Sequence, residues 1–254
     1  MSESVDGAVV AVVGEPSQSV RDAVAAAGVD PVFGAPGSVP DADPDVVLAV
    51  GAASLPGLVV PDPPSCPVLP VETGPGTPAL PADELAAGLD AVLAGEFASV
   101  STPVLDVAVD GESRTRALAD VMLVTAEPAR ISEYAVATGD TTVADFRADG
   151  VVVATPLGSH GYARRVEGPV VAPGTGVAAV VPIAPFATDA DHWVVAEEDI
   201  ELRVARDEHD VELHADDRTV GPVPAGVPVT VSASATLELV SLPASRNVFG
   251  ADEA

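Results

Sequence analysis

Apolar positions along the chain fall into two rhythms, and the change comes near residue 97. Before it, continuous apolar runs alternate with mixed segments. Ala8–Val13 is unbroken and closed by Gly14, the pattern of a strand buried on both faces of a parallel sheet. Ser17 or Ser19 can then cap a helix running to about Ala27, which Gly28 ends. A short strand is predicted at Pro31–Phe33, followed by a Pro/Gly/Asp loop, a second buried strand at Val46–Val50 and a third at Pro67–Val71. Pro81 to Leu93 reads as a helix, with Pro81 in its first turn and Asp83 and Glu84 favouring its N-terminal dipole.

After residue 97 the runs shorten and crowd together. Strands are predicted at Val104–Val109, Ala117–Thr125, Ala129–Ala137, Thr141–Arg147 and Val151–Thr155, the last behind an Asp149-Gly150 turn dipeptide. Further strands follow at Val177–Ile183, Ile200–Ala205, Val211–Ala215, Val227–Ser232 and Thr236–Ser241. Closely spaced strands with few helical windows predict a β-sandwich. The expected architecture is a two-domain α+β chain: a Rossmann-like α/β domain over 1–96, a β-sandwich domain over 97–243 and a tail over 244–254.

Composition narrows the partners. Asp and Glu total 39 against 11 Lys and Arg, a net charge of −28, and all 11 cations are Arg. That balance repels nucleic-acid phosphates and anionic lipid, so neither is an expected partner. The acids are scattered through apolar elements rather than blocked into a tail, which fits a halophilic protein working in molar salt, where self-repulsion is screened. Cys66 is alone, so no intrachain disulfide can form. Met1 to Gly7 is acidic and lacks the cationic start of a signal peptide, and no apolar run approaches the ~20 residues of a membrane helix. A cytoplasmic location is expected.

The stretch Asp149-Gly150-Val151-Val152-Val153-Ala154-Thr155-Pro156-Leu157-Gly158-Ser159-His160-Gly161-Tyr162 carries the most information, with Glu167-Gly168-Pro169-Val170-Val171 and Pro182-Ile183-Ala184-Pro185 beyond it. It resembles the signature of the NAD kinase family: a strand running into TPTGSTAY, a short helix, GGP and a PICPH-like strand end. Other landmarks follow in the family's order. Val46–Gly51 with Ala52, Ala53 and Ser54 resembles the strand entering GGDGT, Pro67–Gly74 resembles PVLGINxG, and Ala117-Leu118-Ala119-Asp120-Val121 resembles ALNEV. Leu85 to Phe97 resembles the helix that ends in a GEF-like step, and Asp216-Asp217 stands where a DG turn is usual.

The resemblance implies ATP-dependent 2′-phosphorylation of NAD to NADP, with NAD or NADP and ATP as nucleotides, Mg²⁺ as the metal and a homo-oligomer as the assembly. It also exposes a gap. The family's loop Asp, taken as the base for the 2′-hydroxyl, is Ala53 here, and of the loop Gly51, Ala52, Ala53, Ser54 only Gly51 is retained. No catalytic residue of that loop is intact, and losing general-base catalysis removes about 10²–10⁴-fold. Glu72, at the Asn position of the following turn, is the candidate substitute carboxylate, against the reading of a solvated surface Glu.

The substrate-binding candidates implied are Asp120, in place of the acidic member of the Asn-Glu pair, and Gly158, Ser159, His160 and Tyr162 of the adenine and ribose pocket. Asp120 can accept ribose hydroxyl protons; Tyr162 offers a flat face and a hydroxyl. The plain structural reading of Gly158 and Ser159 is a strand-to-helix cap. Arg164 and Arg165 can take a phosphate bidentately or form intersubunit ion pairs with the abundant acids. The PICPH histidine is replaced by Phe186, and His192-Trp193 stands at an Arg-Pro step. Strand alternation puts His209 and His214 on opposite faces, so no shared metal is expected there. Two functions stay open: a kinase whose activity is weak or lost, and a non-catalytic nucleotide-binding regulator or inactive partner subunit.

Overall fold

The computed structural model describes residues 7–127, 129–187, 190–206 and 209–246. The acidic start over 1–6 and most of the 244–254 tail lie outside the described residues. The chain divides into two compact units, Met1–Thr102 with Leu237–Ala254, and Pro103–Thr236.

The first unit is a parallel α/β sheet. Its strands are β1 (Val9–Gly14), β2 (Asp30–Gly34), β3 (Val46–Val50) and β4 (Val68–Val71), in the order β2-β1-β3-β4. The helices are α1 (Gln18–Ala26), whose N-terminus Ser17 caps by accepting from the Val20 N–H, and α2 (Leu85–Leu93). Val20 and Val24 of α1 and Leu85, Leu89 and Val92 of α2 pack with Val10, Val12, Leu48, Val50, Leu69 and Val71, so both helices cover one face of the sheet. Ala11, Val13, Val47 and Ala49 are fully buried as well, which is why β1 and β3 read as unbroken apolar runs. The predicted helix from Pro81 opens with a 3₁₀ turn over Ala82–Glu84 before turning α-helical.

The second unit is an antiparallel sandwich. One sheet has the order β12-β11-β10-β7-β14-β15, built from β7 (Asp120–Thr125), β10 (Gly150–Ala154), β11 (Val177–Ile183), β12 (Trp193–Ala196), β14 (Val211–Ala215) and β15 (Arg218–Pro222). Against it lie β8 (Ser132–Thr138), β9 (Thr141–Ala148) and β13 (Ile200–Val204), with β5 (Ala98–Val109), β6 (Glu112–Ala117) and β16 (Pro228–Ser241), of which β5 and β16 run on into the first unit. Alternate residues of both sheets form the core: Val121, Leu123, Val151, Val153, Val180 and Leu213 face Tyr134, Val136, Ile200, Leu202, Val229 and Val231. On the outer face of the first of these sheets, Val152, Ala154, Ala179 and Val181 are covered by Ala163 of α3 (Tyr162–Arg165) and by Val171. β10 is therefore buried on both sides, which fixes the strand end from which the best candidate segment departs.

Several expectations are corrected. Asp149-Gly150 is not a turn: Gly150 lies in β10, and a Cβ there would press on the Leu123 carbonyl of β7, so close approach explains the glycine. The predicted strand Ala117–Thr125 is interrupted, with Leu118 and Ala119 forming a connection between β6 and β7. Val227–Ser232 and Thr236–Ser241 form one strand, β16, whose far end returns to the first unit by pairing Leu239 in parallel with Val68. Residues from Leu237 therefore join the first unit instead of continuing the second, which the sequence division at 97 and 243 did not foresee. β6, β12 and β15 were not anticipated, because short polar or mixed sequences such as Glu112–Ala117 carry little apolar signal.

Candidate functional site

In the second unit the connection 118–120 and the segment 155–162 are locked together. Thr155, fully buried at the end of β10, donates its backbone N–H to the Ala119 carbonyl at 2.9 Å. Its Oγ1 donates toward the Leu118 and Ala119 carbonyls at 2.8 and 3.0 Å and accepts from the Gly158 N–H at 3.2 Å. Gly158 packs so tightly on Ala119 that any Cβ would overlap its carbonyl oxygen. Ser159, also fully buried, donates to the Pro156 carbonyl at 2.6 Å and accepts from the Val171 N–H at 2.9 Å, tying the segment to the chain beyond α3. Gly158 and Ser159 thus hold backbone, as a strand-to-helix cap would, and the Ser159 hydroxyl is already bonded to Pro156 and Val171.

What this frame presents is Asp120, His160 and Tyr162. Asp120 is 6% exposed, and burial, reinforced by the Asp216 carboxylate, pushes its pKa up to about 7. His160 is half-buried; burial first, and the Arg164 charge second, hold it below the ordinary imidazole range. Its Nε2 is buried with no hydrogen-bond partner. Tyr162 is 37% exposed at the start of α3. An acceptor of hydroxyl protons, an unpaired ring nitrogen and an exposed aromatic side chain therefore flank one rigid pair of loops. Arg164 and Arg165 are exposed in the last turn of α3, and among the described residues of the chain neither forms an ion pair, which leaves both guanidinium groups available to a phosphate or to acids of another subunit.

Sequence reasoning passed over Asp216 as a turn residue. It sits at φ 54° in the two-residue connection between β14 and β15, a conformation Asp tolerates better than most residues. Its side chain is 2% exposed and accepts the backbone N–H groups of Leu118, Ala119 and Asp120 at 3.1, 2.6 and 3.2 Å. Burial raises its pKa against the lowering effect of these three donors and of Arg218. A turn Asp that accepts from a distant connection has no local pattern to reveal it.

In the first unit the carboxyl ends of β3 and β4 lie side by side. Val50 pairs with Val71, and the Gly51 N–H donates to the Val71 carbonyl at 2.9 Å. Gly51 has φ 78° with open space where a Cβ would be, and Ala52 to Ser54 form one 3₁₀ turn. Ala52 and Ala53 are exposed, whereas Ser54 is fully buried and donates to the Gly51 carbonyl at 2.6 Å. Glu72, exposed at φ 53°, directly follows Val71, so the structure places it beside the loop. The carboxyl ends of parallel strands are where open α/β sheets receive ligands.

A family profile for the ATP-NAD kinase C-terminal domain matches residues 118–240. An NAD kinase of Symbiobacterium thermophilum is 37% identical over 174 residues, 66% of this chain and 62% of that protein. An NAD kinase of Methanosarcina barkeri is 37% identical over 102 residues, 40% of this chain and 37% of its own length. Residues 118–240 belong to the NAD kinase family. The chain's matches span between 37% and 62% of these two curated relatives. Among solved structures, yeast NADH kinase complexed with NADH superposes with a TM-score of 0.78 at 16% identity, covering 93% of this chain and 84% of that one. An NAD kinase from Archaeoglobus fulgidus in complex with ATP gives 0.73 at 22% identity, covering 91% and 92%. At such identities these two likenesses establish the NAD kinase fold: an α/β domain with a β-sandwich domain.

Within that fold this chain has the 118–120 and 155–162 frame and no acid in 51–54. Alanine offers no oxygen donor, and the Ser54 hydroxyl is turned back onto Gly51, so the side chains of 51–54 do not fit Mg²⁺. Among the described residues no group of three or more His, Cys, Asp or Glu could hold a metal. No helix among them is long and apolar enough to cross a membrane.

Proposed function

We propose that this chain binds an adenine dinucleotide, NAD or NADP, through the second unit, and that its ATP-dependent 2′-phosphorylation of NAD is weak or lost. The observation carrying the binding half is the braced pair of connections around Asp120. An ionised Asp120 accepts hydroxyl protons of a ribose, the unpaired His160 Nε2 gives a base or hydroxyl its missing partner, and Tyr162 offers a face and a hydroxyl. The family relatives named as NAD kinases, and the neighbours carrying NADH and ATP, support this class of ligand.

The weak-turnover half rests on Ala53. Nothing in 51–54 can take the proton of an attacking hydroxyl. That same loop favours a second reading, a nucleotide-binding regulator or an inactive partner subunit of an active kinase. Calorimetric titration with NAD, NADP and ATP in molar KCl tests the first half. An NADP-formation assay on the native chain tests the second. Binding with feeble turnover supports the kinase reading, binding with none supports the regulator, and silence toward all three nucleotides ends both. Self-association through the second unit is the assembly we expect, by resemblance, and sedimentation in molar KCl checks it. The acidic balance suits a cytoplasm loaded with salt.

A further inference from the structure

Leu118, Ala119 and Asp120 follow one another in a connection that neither β6 nor β7 incorporates at its centre. Their N–H groups would ordinarily need partners from a sheet ladder or from water. Instead one carboxylate gathers all three. Asp216 Oδ1 accepts from Leu118, Ala119 and Asp120, Oδ2 accepts from Leu118 again, and the Asp216 N–H donates to the Asp120 carbonyl at 2.8 Å. The opposite side of the connection is held by Thr155 Oγ1 and by Gly158 against Ala119. The connection is therefore fixed from both sides, with the Asp120 side chain as its functional end.

We propose that Asp216 is the positioning residue of the nucleotide site. It sets where the Asp120 carboxylate stands by holding the three backbone N–H groups of 118–120, and so how that carboxylate meets ribose hydroxyls. This deepens the nucleotide-binding reading above and rests on it. The charged groups of the β14–β15 turn are Asp216, the exposed Asp217 and Arg218, whose guanidinium lies 3.6 Å from Asp216 Oδ2 and donates to the Arg116 carbonyl at 2.6 Å. From β10 the contacts are Thr155 and Gly158, which carry no charge. Asp216 is thus the one carboxylate acting on Asp120 among the described residues, and it acts in the direction that keeps the Asp120 proton on.

Asp216→Asn keeps the volume, removes the charge and aims an amide NH₂ at backbone donors. Two ligand-free readouts are amide hydrogen exchange at 118–120 and the titration of the Asp120 carboxyl carbon by NMR. The ligand readout is NAD affinity against pH. In Asp216→Asn the three amides should lose at least tenfold in protection, the Asp120 midpoint should move to lower pH, and NAD affinity at pH 8 should fall about tenfold. Asp217→Asn, on the exposed neighbour in the same turn, should change none of these. Unaltered amide protection and an unaltered Asp120 midpoint would overturn the proposal whether or not NAD binds. Lost protection with NAD affinity and its pH midpoint unchanged would also overturn it, leaving Asp216 a structural clasp. Failure of the native chain to bind NAD is a separate result: it removes the nucleotide reading and with it the assignment to a nucleotide site.

Discussion

Gly158 leaves no room for a side chain because the Ala119 carbonyl oxygen stands where its Cβ would go. The obstacle is backbone, which cannot rotate aside as a side-chain tip can. Gly158→Ala must push the 155–162 segment off the 118–120 connection or distort both. We expect a loss of about 2–3 kcal/mol, the range of a core overpacked against an unyielding neighbour. That corresponds to a Tm lower by roughly 4–12 °C. NAD affinity should fall by more than the stability loss alone explains, since Asp120 and His160 move with the two connections. Melting curves and titration on the same variant measure both.

Asp120 is predicted to trade stability for binding. Its folded pKa of about 7 lies above the ordinary carboxylate value, so the fold favours its protonated form. The stability this contributes is complete below the usual carboxylate range and is lost as pH rises through about 7. Asp120→Asn removes that decline: relative to the native chain its Tm should be higher by on the order of 10 °C at pH 8 and nearly equal at pH 4. Binding runs the other way, because only the ionised group accepts two hydroxyl protons. Native affinity for NAD should rise between pH 6 and 8, and Asp120→Asn should flatten that rise. A native affinity that declines over the same interval would remove Asp120 from the ligand contact.

Much of this was legible in residue order. β11 and β14 fall where the alternation put them, and β3 matches its apolar run, because burial on one or both faces writes a period-two or continuous pattern. Polar β6 and the edge strand β12 left no such trace. At the candidate site, motif position nominated Asp120, Gly158, Ser159, His160 and Tyr162, and it is on them that the proposed nucleotide site rests. What motif position did not reveal is how Gly158 and Ser159 brace the segment, with the glycine packed on Ala119 and the hydroxyl bonded to Pro156 and Val171. Asp216 was invisible as a partner: it lies 96 residues from Asp120, and only the β7–β14 pairing brings the two together.

Thr155 offers a cleaner test of the brace. Its Oγ1 both donates to the 118–119 carbonyls and accepts from Gly158, entirely out of solvent. Thr155→Val preserves shape and leaves the Gly158 N–H without its partner, which should cost about 1–3 kcal/mol in urea unfolding. Thr155→Ser should restore most of it. Equal stability of the Val and Ser variants would mean the hydroxyl is not what binds the two connections.

The loop at 51–54 makes a prediction about rate. Ala53 is exposed at the carboxyl edge of the first unit's sheet, so Ala53→Asp introduces a carboxylate without disturbing packing. NADP formation should rise about 10²-fold, the lower end of what a general base contributes. We propose Glu72, the exposed acid directly after β4 and next to Gly51, as the base for any residual turnover of the native chain. Glu72→Gln in the native background should therefore lower the rate at least tenfold with NAD affinity unchanged. In the Ala53→Asp background the same change should matter little. A rate insensitive to Glu72 in both backgrounds returns that residue to the solvated surface.

The charge excess predicts a stability that depends on salt. With 39 acids and 11 cations, ion pairing can neutralise only a minority of the carboxylates. Some pairs are shielded: Arg116 meets Asp106 at 2.6 Å, partly out of solvent. Most acids face water at distances where repulsion is long-ranged at low ionic strength, with a screening length of about 10 Å at 0.1 M falling to about 3 Å at 1 M. The buried Asp120 and Asp216 add carboxylates that salt reaches poorly, so their effect should persist when the surface is screened. The Tm should climb by more than about 10 °C from 0.1 M to molar KCl and then level off, as screening saturates. The Asp120→Asn increment at pH 8 should survive at both salt levels, because it originates inside the protein. A Tm indifferent to KCl would show that the acidic surface is not self-repelling in the folded state.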